Sequence, residues 1–561
     1  MFVLIGALAL TLLYPIALTL RTGFAEDAAT NRGWTLRHLL LVARDPVLRA
    51  GLLNALGLAA ATTAISAVLA LPLAVLSTRY RFPLKGVWNG AVLVPLILPP
   101  FVGAIGLKAI LGRSGALNAL LGTDWDVLGA ARFWGVAVAL ALHLYPILYL
   151  NASAALANLN PALDEAARVF AIPRWRRFTS ITLPLIRPGV FAGGAIVFIW
   201  SFTELGTPLV FDYYQVTSVQ IFNGIKRMDA SAEPYALTAV MLTVAIVTYL
   251  LGKTLLGHDA HAASTRAATA SAERPLGLSA GLGATGLFAI VTALAVVPHL
   301  GVVLKAFAVP GAWYRDVLPS AWTTHNFEQA LTHPLAAGSI SNSILLASSA
   351  AIVDVLLGLV IGYLIARSTL RSRHLLDSMA MLPLAVPGLV LAFGYIALTL
   401  RWPFGRGDPL EGVVDVVGAN PNPIPLLILA YAVRRLPYVV RATVAGLQQI
   451  GPEVEEAARV FGAGPVRAVR SATLPLIAAN LFAGALLAFS FAMLEVSDSL
   501  VLAQQERHYP ITKAIYTFIE RLGDGAYIAS AMGVWGMLLL TLTLVGVSIL
   551  LGRALGAVFR A

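Results

Sequence analysis

The sequence predicts an all-α polytopic membrane protein, with about 12 transmembrane helices arranged as two parallel six-helix repeats. Composition, recurrent apolar runs and internal self-similarity carry that prediction. Hydrophobic residues make up 58% of the chain, charged residues 12%, and the mean hydropathy is +0.81. A water-soluble chain carries about twice that charged fraction. The apolar runs are about 20 residues long, the length a helix needs to cross a bilayer.

Taken in order, the spans are expected near 1–20, 50–77, 88–112, 132–155, 189–211 and 234–257, then near 276–307, 338–367, 376–400, 423–446, 479–503 and 528–556. The opening apolar run lacks a basic leader and a small-residue cleavage site, so it reads as a retained first span. Between the two sets lies the Ala/Ser/Thr-rich stretch "HDAHAASTRAATASAERP", which reads as a flexible linker. The expected organisation is therefore a first half 1–257, a cytoplasmic linker 258–275 and a second half 276–561.

The halves repeat each other. Asn54, Arg79, Pro95, Pro99 and Gly106 meet Asn342, Arg367, Pro383, Pro387 and Gly394 at one offset. Pro146, Pro161, Glu165, Pro184 and Glu204 meet Pro437, Pro452, Glu456, Pro475 and Glu495 at an offset three residues longer. Apolar segments match by chance, but prolines, glutamates and arginines in register mark a duplication. Six spans return the chain to its starting side, so the units are expected to be parallel, related by a pseudo-two-fold axis along the membrane normal, with a pathway between them. Basic segments at 77–85, 168–187, 366–373 and 459–470 fall on one face, which the positive-inside rule makes cytosolic; the Arg-bearing segment 21–49 falls on the other. The net charge of +11 thus belongs to membrane topology, and no nucleic-acid partner is expected. With no cysteine, the chain has no disulfide, zinc–thiolate site or iron–sulfur cluster.

One polar segment recurs: "DEAARVFAIPRW" from Asp164, and "EEAARVFGAGPV" from Glu455. In the first copy Asn160 suits a helix N-cap and Pro161 the first helical position. Leu163, Ala167 and Phe170, and in the second copy Val454, Ala458 and Phe461, form one apolar stripe. Gly462 is a natural helix stop. Each copy leads to Thr-Leu-Pro-Leu-Ile (182–186 and 473–477), where the threonine is expected to cap the next span. A helix lying in lipid headgroups would carry a broader apolar face. A small stripe with charged flanks better suits a groove on another protein.

These residues resemble the cytoplasmic coupling loop of type I ABC importer permeases. Glu456, Ala457 and Ala458, then Gly462, then Leu474 and Pro475, follow the pattern throughout; Glu165, Ala166 and Ala167 do so with Ala171 in place of the glycine. An alanine there predicts a stiffer or differently shaped turn, because a side chain costs more at positive φ. The two fused halves resemble in particular the iron(III)-type branch, whose relatives include thiamine and phosphonate permeases. The resemblance implies that Glu165, Ala166, Ala167, Arg168, Phe170 and Ala171, with Glu456, Ala457, Ala458, Arg459, Phe461 and Gly462, engage two copies of a cytoplasmic ATPase. It further implies that a periplasmic binding protein delivers substrate, and that ATP and Mg reside on the ATPase, in an inner-membrane complex. The chain's Gly252-Lys253-Thr254 lacks the earlier glycine of a phosphate loop (Val247 stands there), so no cofactor is expected on this chain.

Ionisable residues inside spans are costly and mark a path or an internal pair. Glu204, and Glu495 with Asp498, fall in the fifth span of each half, where symmetry turns both glutamates toward the axis; Arg434 and Arg435 interrupt the tenth span, and His143 is the repeat partner of Arg434. Asp354 and Lys108 are further candidates. These groups either line a substrate path or pair between helices, and both readings stand. No catalytic constellation or metal-ligand cluster is legible. An ion-coupled secondary transporter is the alternative to the ATP-driven importer. The cargo expected first is iron(III) or an iron complex, with a phosphorylated or phosphonate small molecule or thiamine next.

Overall fold

The computed structural model describes residues 1–26, 32–126, 128, 132–159, 167, 169–226, 233–256, 273–384, 386–416 and 421–551. The first repeat holds α1 (Phe2–Gly23), α2 (Pro46–Arg79), α3 (Lys85–Ile97), α4 (Pro100–Leu121), α5 (Arg132–Ala157), α6 (Trp175–Phe202), a short α7 (Gly206–Val210) and α8 (Glu233–Thr254). The second holds α9 (Leu278–Phe307), α10 (Pro334–Arg367), α11 (Ser372–Leu384), α12 (Gly388–Thr399), α13 (Ile424–Gln449), the loop helix α14 (Glu453–Val460), α15 (Pro465–Met493), a short α16 (Ser497–Leu502) and α17 (Gly525–Thr543).

Among the described residues nine helices are long and apolar enough to cross a membrane, or eleven if each of two bent pairs is one crossing. α13 is of spanning length but carries Arg434, Arg435 and Arg441, and does not join that set. The expected continuous spans 88–112 and 376–400 are instead the bent pairs. α3 and α4 meet at 96°. Pro99 and Pro100 explain the break: a residue before proline is pushed to extended backbone, and Leu98 and Pro99 have ψ of 127° and 137°.

The expected spans 189–211 and 479–503 also differ. α6 and α15 begin at 175 and 465 and end at 202 and 493. Five-residue π-helical turns, Phe178–Thr182 and Val469–Thr473, carry each helix without interruption from its basic segment into the apolar run. Thr182 and Thr473 therefore do not cap these helices through their side chains. Glu204 and Glu495 sit past the ends of α6 and α15, in the breaks before α7 and α16, and not within a helix.

The chain forms two compact units. One comprises Met1–Arg49, Val219–Leu242 and Trp322–Val558; the other comprises Ala50–Ser218 and Thr243–Ala321, with Phe559–Ala561. Each unit takes the opening helix of the other repeat. In the first, α10, α13 and α15 pack together, and α12 packs against α1. Leu8 of α1 lies in one buried cluster with Ile361, Leu376, Leu436 and Val440. In the second, α4 packs against α9 and α6 against α5; Phe82 and Phe288 meet with ring centroids 5.3 Å apart.

The repeat-related Gly106 and Gly394 make these helix pairs possible. A Cβ on Gly106 would lie 2.1 Å from the carbonyl oxygen of Pro298 in α9, and one on Gly394 2.7 Å from the backbone of Pro15 in α1. Lipid offers helices no hydrophobic drive to associate, so backbone approach through small residues supplies the contact. The end of the expected linker is tied down: Arg274–Pro275 pairs in parallel with Tyr80–Arg81, and Lys85 Nζ reaches Glu273 at 2.6 Å.

Candidate functional site

α14 starts after Pro452 with Glu453, Glu455 and Glu456 in its first turn, where acidic groups favour the positive end of the helix dipole. It ends on a left-handed residue, Gly462 at φ +87°. The amide of Ala463 donates to Ala458 O at 3.0 Å and that of Gly462 to Arg459 O at 2.9 Å, satisfying carbonyls left over at the helix end.

The first copy closes with the same turn. Ile172 N donates to Ala167 O at 3.0 Å, and Ala171 adopts φ +53°. The alanine therefore does not reshape the turn; it holds the glycine's conformation at the steric cost of its Cβ. Glu165, Ala166 and Arg168 lie outside the described residues, as do Asn160, Pro161 and Leu163.

The two turns present matching apolar tips. Phe461 is 90% exposed and Phe170 79%, each preceded by an exposed valine, Val460 and Val169. Ala167 is buried, Val454 and Ala458 are half-buried, and Glu456, Ala457 and Arg459 are exposed. Among its described members the expected stripe is thus divided: Ala167, Val454 and Ala458 face the protein, and Phe170 and Phe461, past the helix end, face away.

A second constellation lies in the unit that holds α13 and α15. Arg434 Nη1 is 3.1 Å from Glu495 Oε1 and 3.6 Å from Asp498 Oδ2, and Arg435 pairs with Glu495 through Nη2. Tyr431 Oη and Ser499 Oγ share a hydrogen bond of 2.6 Å beside them. Two guanidinium groups thus balance two buried carboxylates, which offsets the desolvation that an unpaired charge would suffer. Asp354 is fully buried, and neither of its oxygens forms a hydrogen bond among the described residues.

The repeat partners are arranged differently in the other unit. Glu204 Oε1 accepts from the backbone and the hydroxyl of Thr207, both at 3.1 Å, so the glutamate caps α7. His143 Nδ1 lies 2.8 Å from Pro95 O, which assigns the proton to that nitrogen, and His143 shares a small cavity with His299. Lys108 reaches Val210 O at 2.6 Å and Asp212 at 2.9 Å. Among the described residues no group of three or more His, Cys, Asp or Glu is placed to hold a metal ion.

Comparison with known proteins fits this duplicated framework. Residues 46–257 and 355–559 each match the family "Binding-protein-dependent transport system inner membrane component". The chain belongs to this family. It is a permease of the ATP-binding-cassette importer type, built from two copies of the family's unit. Among its relatives, the "Ferric transport system permease protein FbpB" of Actinobacillus pleuropneumoniae is 26% identical over 500 residues, covering 86% of this chain and 68% of the relative. A "Probable ABC transporter permease protein" of Sinorhizobium fredii is 28% identical over 453 residues, covering 78% and 76%. The "Molybdenum transport system permease protein ModB" of Escherichia coli is 34% identical over 137 residues, covering 24% and 59%.

Within this permease one further residue, beside the motif, bears on the site. Glu455 is 6% exposed, unlike its neighbours Glu453 and Glu456. A signal was present: an acid at 455 and 164 accompanies an arginine at 367 and 79. Only the folded chain brings the acid and the arginine of the second copy together.

Proposed function

We propose that the chain is the membrane-spanning engine block of an ATP-driven importer, with halves 1–257 and 276–561 joined by linker 258–275. Segments 165–171 and 456–462 dock into clefts on two copies of a separate cytoplasmic ATPase, which carries the ATP and Mg. Closure of the ATPase pair drives the two halves between inward-open and outward-open states, and a periplasmic binding protein supplies the cargo from the far side of the inner membrane. The observation that carries this reading is the pair of exposed valine–phenylalanine tips, closed by the same left-handed turn in both copies. A tip of that kind, on an otherwise charged helix, is the pattern of an anchor for a groove.

The cargo we favour is iron(III) or an iron complex. Two relatives along most of the chain are named ferric transport permeases, and the paired charges around Glu495 offer both signs. A phosphorylated or phosphonate solute and thiamine follow. The test is reconstitution of the complex in proteoliposomes with Glu165→Arg plus Glu456→Arg. Loss of ATPase binding and of uptake is expected; uptake at the unaltered rate would refute the docking role. Uptake driven by an ion gradient with no ATPase present would point to a secondary transporter instead.

A further inference from the structure

Short loops, Ile450–Pro452 before α14 and Phe461–Gly464 after it, would leave the helix free to swivel if nothing else held it. Glu455 holds it. Tyr363 Oη donates to Glu455 Oε2 at 2.7 Å, Thr473 Oγ1 donates to Oε1 at 3.1 Å, and Arg367 Nε lies 3.5 Å from Oε1. Arg367 also donates through Nη2 to Ile450 O at 2.8 Å. Tyr363 and Arg367 belong to the last turns of α10, Ile450 directly follows α13, and Thr473 lies in the π-turn of α15. One buried carboxylate and one guanidinium therefore join α14 to the ends of three long helices.

We infer that Glu455, gripped by Tyr363, Arg367 and Thr473, is the positioning residue that makes α14 move as one body with α10, α13 and α15. The inference rests on the docking reading above and adds to it the joint through which a push on the exposed tip reaches the spans. A charge-assisted network inside the protein resists bending far better than a loop does, because its hydrogen bonds are directional and shielded from water. Phe461 and Glu456 make the outward contact; Glu455 makes the inward one.

The two repeats differ in sequence at this joint, and Asp164, the counterpart of Glu455, lies outside the described residues. In the first, Arg79 Nη2 donates to Thr182 Oγ1 at 3.0 Å, the same two positions as Arg367 and Thr473. The position of Tyr363 is occupied there by Val75, which has no donor. Tyr363→Phe therefore removes from the second joint a donor that the first repeat does not carry at this position.

The experiment uses the full complex with its ATPase and binding protein in proteoliposomes, measuring solute imported per ATP hydrolysed. Glu455→Gln removes the charge but keeps the shape. It is expected to leave the ATPase bound and hydrolysing while import per ATP falls about tenfold, the worth of a lost charge-assisted hydrogen bond. Glu455→Asp restores part of the ratio, and Tyr363→Phe lowers it about threefold, the smaller effect of a single neutral donor. An unchanged ratio in Glu455→Gln would overturn the inference, as would loss of ATPase binding, which would make Glu455 part of the docking surface. Should Glu455→Gln fail to fold, Tyr363→Phe decides: an unchanged ratio there overturns the joint. Failure of the docking reading has a separate signature, retention of the ATPase by Phe461→Ala and Glu456→Arg.

Discussion

Arg434 and Glu495 meet at 3.1 Å between α13 and the break that follows α15, with Glu495 almost fully buried. Each was legible in the sequence as a charge at membrane depth, and the fold joins them with Arg435 and Asp498. Removing one partner leaves an uncompensated buried charge, which costs about 3–5 kcal/mol. Glu495→Ala is therefore expected to lower the thermal unfolding midpoint of the detergent-solubilised protein sharply. A double-mutant cycle with Arg434→Ala should return a coupling of about 1–3 kcal/mol. Additive effects would show that the pair does not act as a unit.

The exposed tips make the opposite prediction. Phe461 and Phe170 touch little within the chain, so Phe461→Ala and Phe170→Ala should change its stability by less than about 0.5 kcal/mol. Affinity for the ATPase should nevertheless fall at least tenfold, as truncating a buried aromatic anchor costs about 2 kcal/mol. Titration of the ATPase onto immobilised permease, alongside unfolding curves, separates the two quantities.

The paired turns predict a sign reversal. At positive φ an alanine costs about 1–2 kcal/mol, less the unfolded-chain entropy that a glycine adds, about 0.4–1 kcal/mol. Gly462→Ala should destabilise the second copy by about 1 kcal/mol, and Ala171→Gly should stabilise the first by a similar or smaller amount. Local hydrogen exchange at Ile172 and Ala463, whose amides close the two turns, reads both effects.

Gly106 and Gly394 should tolerate no side chain. Gly106→Leu places atoms where the Pro298 carbonyl lies, and Gly394→Leu where Pro15 lies. Overpacking of this kind costs about 1–3 kcal/mol even for one extra carbon group, and a leucine adds four carbons. Loss of monodisperse protein after solubilisation is the expected outcome for both; a normal elution profile would argue against these contacts.

His508 offers a pH handle outside the spans. Burial and the neighbouring Arg507 hold its pKa below the ordinary histidine value, while Nε2 donates to Pro421 O at 3.0 Å. Because the folded state disfavours the charged ring, the stabilisation is present above the unfolded value of about 6.5 and is lost as pH falls through the folded one. Unfolding midpoints measured from pH 7.5 down to pH 5 should decline less in His508→Asn than in the natural chain.

Much of this protein was written in the order of its residues. Apolar length determined that the chain crosses a membrane, and prolines, arginines and glutamates in register determined that it is a duplication. The polar segment ending at Gly462 identified its own helix and stop, because capping and the left-handed turn depend only on neighbours along the chain. What the sequence left open depends on partners far away in it. The packing of α9 on α4 and of α1 on α12 needs a glycine at 106 and 394 to accept a helix backbone from far along the chain. The bends at Pro99 and Pro387 follow local rules, but how sharply the chain turns there depends on what it packs against. The π-turns that extend α6 and α15 let basic residues, which read as loop, continue a helix. The repeat marks acids at 455 and 456 alike, with Asp164 and Glu165 as their partners, and the donors waiting on α10 and α15 decide that Glu455 is the one turned inward.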